Sequence, residues 1–207
     1  MHILVTAGPT REPIDEVRFI TNASSGRMGY AVAAAAAAAG HEVTLLSGPV
    51  SLEPPAGVRV LRFVRVEELR QLLAEWFPKA DALVMAAAVG DFTVGGPVLG
   101  KLKRSGGATR LDLLPTPDLL AEVASRRREG QTIVAFAVET GRPSQVQELA
   151  AAKLRAKGAD YIVANTPAAV ASPDSLACIL GPTRVELDWA QRSKDELARR
   201  IVALLER

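Results

Sequence analysis

Along this chain, short runs dominated by apolar residues alternate with longer stretches whose apolar positions recur every three or four residues. The runs at 2–6, 42–46, 81–88, 132–137 and Tyr161–Asn165 are nearly continuous in Val, Ile, Leu and Ala, the pattern of strands buried on both faces. Residues 58–63, apolar except for Arg59 and Arg62, read as a further strand. Between them, Val66–Trp76 places Leu69, Leu72, Leu73 and Trp76 on one face, which predicts an amphipathic helix. An alanine-dominated helix is expected from about 27 to 39, with Gly40 where a left-handed helix stop belongs. Further helices are expected at 145–157 and 193–205, and one starting near 115–118.

Strands alternating with helices in this way predict an α/β fold: a doubly wound, Rossmann-like, mostly parallel sheet with helices on both faces. Residues 176–180 and 184–187 add a C-terminal hairpin turning at Gly181-Pro182. No internal repeat and no linker-like stretch appears, so residues 1–207 are expected to form one domain. Sheets of this kind bind ligands at the carboxyl ends of their strands, where the loops after the first and fourth predicted strands meet if those strands run parallel.

The connection from the first strand to the first helix covers residues 7–22. Turns of this kind usually take a handful of residues, and long ones are more often functional than idle. It ends in Ala23-Ser24-Ser25-Gly26-Arg27-Met28-Gly29 at the helix start. Free backbone N–H groups and the helix dipole favour an anion there, the serines add hydroxyl donors, and Gly26 and Gly29 permit close approach. The plainer alternative is that a serine merely caps the helix and the glycines serve packing.

Composition narrows the chemistry. Hydrophobic content of 48% and charged content of 23% are ordinary for a globular chain, and a net charge of +2 marks no nucleic-acid surface. With one cysteine, Cys178, in the apolar run Leu176-Ala177-Cys178-Ile179-Leu180, no internal disulfide is possible and packing is its expected role. His2 and His41 are the only histidines, so neither a His/Cys metal cluster nor a Ser–His–Asp triad has candidates. The chain begins directly on a strand, and the apolar stretch 31–39 is too short to span a bilayer. A cytoplasmic protein without membrane partners is expected.

A segment at about 90–110 interrupts the α/β pattern. Gly95, Gly96, Gly100, Gly106 and Gly107 surround the basic knot Lys101-Leu102-Lys103-Arg104. Flexible glycines around clustered positive charge suit a lid that closes over phosphates, although a solvated hairpin has the same composition. Just beyond it, Pro115-Thr116-Pro117-Asp118 opens a helix, with Thr116 the expected N-cap and Pro117 at the first helical position. Lys153 and Lys157 lie four apart on one helix face.

Taken together, the block Val5-Thr6-Ala7-Gly8-Pro9-Thr10-Arg11-Glu12-Pro13-Ile14-Asp15 and the motifs that follow it resemble the bacterial phosphopantothenoylcysteine synthetase family. Those motifs are Val17-Arg18-Phe19-Ile20-Thr21-Asn22, Ser24-Ser25-Gly26-Arg27-Met28-Gly29, Met85-Ala86-Ala87-Ala88-Val89 with Asp91, Lys101-Leu102-Lys103, Pro117-Asp118, Phe136-Ala137 with Glu139-Thr140, and Val163-Ala164-Asn165. The resemblance implies a ligase of coenzyme A biosynthesis that uses CTP and Mg²⁺ to join 4′-phosphopantothenate to L-cysteine through an acyl-cytidylate. It implies that Lys101 is a lid lysine gripping the triphosphate and that Asn22 holds the activated acyl group. Met85, Ala86, Ala87, Asp91, Thr116, Pro117, Asp118, Leu119, Phe136, Lys153 and Lys157 would contact the nucleotide, beside the Ser24–Ser25–Gly26 turn. It also implies a homodimer, and a stand-alone synthetase served by a separate phosphopantothenoylcysteine decarboxylase.

The chain departs from the family pattern at several points: Thr116 replaces a usual Asn, Gly90 an Ala, Thr166 an Asp and Arg27 a Lys, and 171–175 differs from the usual stretch. Two rivals remain. An NAD(P)-binding reductase would carry a compact G-x-G-x-x-G turn after the first strand, whereas the glycines here stand at 8, 26 and 29. A non-catalytic nucleotide-binding domain of the same architecture is the other.

Overall fold

The computed structural model describes residues 1–97, 99–104, 106–170 and 172–207; the parts of the 90–110 and 171–175 expectations that fall on Val98, Ser105 and Ala171 lie outside the described residues. Strand β1 (His2–Ala7) is followed by two three-residue strands, β2 (Arg11–Pro13) and β3 (Phe19–Thr21), then helix α1 (Arg27–Ala38). Next come β4 (Glu42–Ser47), β5 (Arg59–Arg62), α2 (Val66–Trp76), β6 (Ala82–Met85), β7 (Phe92–Val94), β8 (Leu113–Pro115) and α3 (Leu119–Ala124). The chain ends with β9 (Thr132–Val138), α4 (Pro143–Lys157), β10 (Tyr161–Asn165), β11 (Asp174–Leu180), β12 (Val185–Ser193) and α5 (Lys194–Leu205).

Eight strands make one sheet in the order β12-β11-β10-β9-β6-β1-β4-β5. The pairings from β5 across to β10 are parallel, and the C-terminal hairpin β11–β12 adds an antiparallel edge. Alternation along β1 divides the core. Ile3, Val5 and Ala7 face α1 and α5, with Tyr30, Val32, Ala33, Leu197 and Ile201. Leu4 faces α2 and α3, with Leu69, Leu73, Leu119 and Val123, and α4 covers Ala135, Ile162 and Cys178 further along. Helices therefore cover both faces, as the alternating pattern predicts, and no helix among the described residues is long and apolar enough to cross a membrane.

The small residues of α1 have a packing reason. A Cβ on Gly29 would stand 2.5 Å from the Ala7 Cβ and 2.7 Å from the Thr6 carbonyl oxygen, so glycine is what lets the helix start lie on β1. Gly40 takes φ 83°, the expected left-handed stop.

Two expectations are corrected. The fourth predicted strand, 81–88, ends at Met85: Ala86 N–H turns back to the Val84 carbonyl, and the Thr6 hydroxyl accepts from Ala87 N–H at 3.0 Å. Apolar composition could not reveal that side-chain competition. Thr116 does not cap α3; Asp118 does, its carboxylate accepting from Ala121 N–H at 3.1 Å, so Pro117 precedes the cap and is not the first helical residue. Thr116 is engaged elsewhere, donating its hydroxyl to the Gly90 carbonyl at 2.6 Å, and aspartate is itself a strong N-cap. The β2–β3 ribbon is absent from the hydrophobic pattern, since three-residue strands carrying Pro13 and charges show no period-2 signal.

Candidate functional site

Because β4 and β6 pair with opposite edges of β1, the chain's winding reverses at β1, and the carboxyl ends of β1, β6, β9 and β10 open onto a common crevice. A cleft of about 1000 Å³ fills it. One wall is the turn before α1. Gly26 is the N-cap of α1, in the left-handed conformation at φ 77°, and no side chain caps the helix. Ser24 Oγ instead accepts from Gly26 N–H at 3.3 Å. The capping alternative for the serines is thus set aside, and the first-turn N–H groups keep the electropositive character of an uncapped helix start.

The opposite wall is the loop after β6, which side-chain hydroxyls and an amide hold in shape. Thr6 binds Ala87, the Thr10 hydroxyl accepts from Gly90 N–H at 2.9 Å, and the Asn22 amide donates to the Ala88 and Val89 carbonyls at 3.1 and 3.2 Å. Asn22 consequently clamps the two loops together at the cleft. The Thr116 N–H donates to the Asp91 carbonyl at 3.0 Å, extending the clamp to the start of α3. The backbone that would meet a ligand is held before any ligand arrives.

Basic groups from α4 complete this side. Lys157 Nζ is hydrogen-bonded to Asp118. Lys153 Nζ lies 2.5 Å from Glu139 Oε1, an ion pair made by proximity without hydrogen-bond alignment. Asn22, Ser24, Ser25, Gly26, Met85, Ala86, Ala87, Asp91, Thr116, Pro117, Asp118, Leu119, Phe136, Lys153 and Lys157 all line this one cleft.

Lys101 does not. It is exposed and outside the cleft lining, and its neighbours are fastened to the turn at 14–18. Leu102 N–H donates to Asp15 Oδ2 at 3.0 Å, Arg18 donates to the Leu102 carbonyl at 2.8 Å, and Gly100 N–H donates to Glu16 Oε1 at 3.0 Å. Asp15 also accepts from Arg18, whose guanidinium holds the carboxyl far below its ordinary range, helped by the Val17, Arg18 and Leu102 amides. Cys178 is fully buried away from the cleft, and burial pushes its thiol up to about 12, which leaves no thiolate for nucleophilic work.

Reasoning from sequence missed Arg27, Asn165, Ser175 and Lys194, which also line the cleft. The last two arrive from the far end of the chain: Ser175 because β11 pairs with β10, and Lys194 because α5 packs on α1. No local motif announces that. Among the described residues no three His, Cys, Asp or Glu side chains cluster as a metal cage.

The profile of the DNA/pantothenate metabolism flavoprotein C-terminal domain matches residues 1–207. The chain is 47% identical over 171 residues to the coenzyme A biosynthesis bifunctional protein CoaBC of Mycobacterium bovis, covering 79% of this chain and 41% of that protein. It spans about two fifths of the length of such curated relatives. Among solved structures, the C-terminal domain of a CoaBC protein superposes with TM-score 0.79 at 33% identity, covering 99% of this chain and 93% of that one. A Cab2 mutant crystallised with phosphopantothenate-cysteine shares the fold, with TM-score 0.79 at 20% identity, covering 99% of this chain and 86% of that one.

Proposed function

The chain belongs to the DNA/pantothenate metabolism flavoprotein C-terminal domain family, and from that membership we propose that its cleft carries out the phosphopantothenate–cysteine ligase step of coenzyme A biosynthesis, with CTP as the activating nucleotide. One observation carries the reading. Residues scattered between Asn22 and Lys157, each implied by the resemblance, meet in a single cleft at the point where the sheet's winding reverses. The naming of CoaBC relatives for coenzyme A biosynthesis supports it.

In this reading the 4′-phosphopantothenate carboxylate attacks the α-phosphate of CTP, forming the acyl–O–P bond while pyrophosphate leaves. The cysteine amine then attacks the acyl carbon, the C–O bond to CMP breaks, and an amide, CMP and a proton result. Such chemistry needs positioning and charge neutralisation more than a nucleophilic side chain, in keeping with a cleft whose lining holds no His or Cys among the described residues. Lys153 and Lys157 meet nucleotide phosphates, exchanging their carboxylate partners for phosphate oxygens. The uncapped start of α1, with Ser24 and Ser25, supplies further donors. Asn22 orients the activated acyl group from the junction of both loops. Lys101 joins when the 90–110 segment leaves the 14–18 turn and closes over the cleft.

Magnesium fits the donor set. A cation bridging phosphates takes one or two protein carboxylates; of the cleft carboxylates Asp118 is paired with Lys157, and Asp91 makes no ion pair among the described residues. Asp91 would hold the ion, whose chemistry is to neutralise the phosphates.

A second copy of the chain fits the exposed apolar side chains of the β7–β8 ribbon: Phe92, Leu113 and Leu114 are 51%, 47% and 52% exposed. Sedimentation at micromolar concentration should give a dimer; a monomer there contradicts this part.

The ligase reading is tested by mixing the protein with CTP, Mg²⁺ and 4′-phosphopantothenate. Pyrophosphate should appear without cysteine, and CMP with phosphopantothenoylcysteine once cysteine is added. Nucleotide binding without pyrophosphate release would make this a sensor; a nicotinamide absorbance change would make it a reductase.

A further inference from the structure

Two carboxylates, Glu12 and Asp15, are buried outside the cleft lining. Asp15 anchors the basic segment; Glu12 has no task in the reading above. It is the middle residue of β2, 6% exposed, and makes no ion pair among the described residues. A buried carboxylate is costly unless hydrogen bonds answer it, and here its two oxygens are divided between elements distant in sequence. Oε1 accepts from Val66 N–H at 2.8 Å, and Oε2 accepts from the Thr93 hydroxyl at 2.8 Å. Val66 is the first residue of α2, whose N-cap Arg65 makes no side-chain cap. Glu12 therefore satisfies a first-turn N–H from outside the helix, where the helix dipole favours its charge. Leu69 and Leu73 in turn fix α2 to the core.

Thr93, the other partner, is the middle residue of β7, and the β7–β8 ribbon has little else to hold it in place. Each strand has three residues, and of these only Val94 is buried. A two-stranded ribbon standing alone is marginal in water. Its base nevertheless runs straight into the cleft. Asp91 precedes β7 and Thr116 follows β8; both line the cleft, and Thr116 N–H donates to the Asp91 carbonyl. The far end of the ribbon carries the basic segment with Lys101. Thr10, two residues before Glu12, already holds Gly90 N–H, so one short stretch grips the chain on both sides of Asp91, at Gly90 and at Thr93.

We propose that Glu12 is a positioning residue for nucleotide binding: it ties the β7–β8 ribbon to the start of α2 and thereby sets Asp91 and Thr116 at the cleft. The proposal rests on the ligase reading, which assigns those two residues to the nucleotide. Glu12 touches no substrate. It converts a rigid element, α2, into a reference point for a ribbon too short to place itself. Nucleotide affinity then scales with the fraction of molecules in which the ribbon is in place. The other substrate, held at the start of α1 and at Asn22, is insensitive to this link.

The experiment compares wild type, Thr93→Val, Thr93→Ser, Glu12→Ala and the double variant Glu12→Ala/Thr93→Val by amide exchange and by calorimetric titration with CTP and Mg²⁺ or with 4′-phosphopantothenate. Glu12→Ala also strips the start of α2, so Thr93→Val, isosteric and sparing the Val66 contact, carries the test. Loss of a hydrogen bond to a charged group should speed exchange of the Thr116 amide about 10- to 100-fold in Thr93→Val, with the Val66 amide unchanged. The CTP Kd should rise about 3- to 10-fold, while that of 4′-phosphopantothenate changes less than about twofold. Thr93→Ser keeps the hydroxyl and should restore wild-type values, and Thr93→Val should add nothing in the Glu12→Ala background. Four results overturn the proposal: unchanged Thr116 exchange in Thr93→Val, Thr116 and Val66 amides accelerated alike there, CTP affinity unchanged, or additive effects in the double variant. The ligase reading fails separately, through absence of pyrophosphate release by the wild type, and the exchange and CTP titrations decide the role of Glu12 in that case too.

Discussion

Asp118 shows how much one side chain can do here. It caps α3 through Ala121 and is paired with Lys157 across the cleft, so the helix start and the proposed nucleotide contact are set by the same carboxylate. Lys157→Met should raise the KM for CTP about 10- to 100-fold, the loss of one charge-assisted contact, with little change in unfolding midpoint because the pair is partly exposed. An unchanged KM would remove Lys157 from the nucleotide site. At the other extreme, Cys178 is inert: with its thiol pushed up to about 12, it should resist alkylation in the native state at pH 8, and Cys178→Ala should retain full turnover. Rapid native-state alkylation or loss of turnover would contradict that. Cleft positions were legible where a motif is local, as at Asn22 and the Ser24–Gly26 turn. Pairings were hidden where competing polar groups decided, as with Asp118 over Thr116, or where the partner is distant in sequence, as with Lys194.

Elements are fixed by backbone approach and by loop anchors. Gly29 lets α1 lie against β1, and a Cβ there meets Ala7 and Thr6 inside contact distance. Gly29→Ala should lower stability by about 1–3 kcal/mol, the usual cost of overpacking, measured by urea unfolding; a wild-type midpoint would mean that the helix shifts freely. The basic segment is anchored to the 14–18 turn through Asp15. Since the folded carboxyl sits far below its unfolded value of 3.8, its contribution is fully present above that value. It is lost only as pH falls through the depressed folded value. Amide exchange at Leu102, corrected for intrinsic rate, should therefore keep its protection from pH 7 down through the ordinary carboxylate range, and Asp15→Asn should abolish that protection at neutral pH. Equal protection in the variant would show that the anchor lies elsewhere. Strands and helices were readable from apolar periodicity because each is long enough to repeat. The β2–β3 ribbon and β7 were too short to do so, whereas the largely apolar run 111–114 marked β8 to within two residues.

For the whole molecule, winding order does the assembling. The sheet places β1 beside both β4 and β6, so loops far apart in sequence converge, α5 closes on α1 to bring Lys194 to the cleft, and β11 pairs with β10 to bring Ser175 there. Apolar patterning revealed that such a sheet exists, and its strand ends do open onto the cleft. It gave no sign that Lys101 would stand outside the cleft, because that depends on which loop the basic segment docks against. The central claim is that the cleft between the α1 turn and α4 is where the nucleotide is activated. A crystal structure with CTP, Mg²⁺ and 4′-phosphopantothenate tests it most directly. The account predicts the α-phosphate beside Asn22 and the Ser24–Gly26 turn, with Lys153 or Lys157 on the triphosphate; a nucleotide bound away from these groups would contradict it.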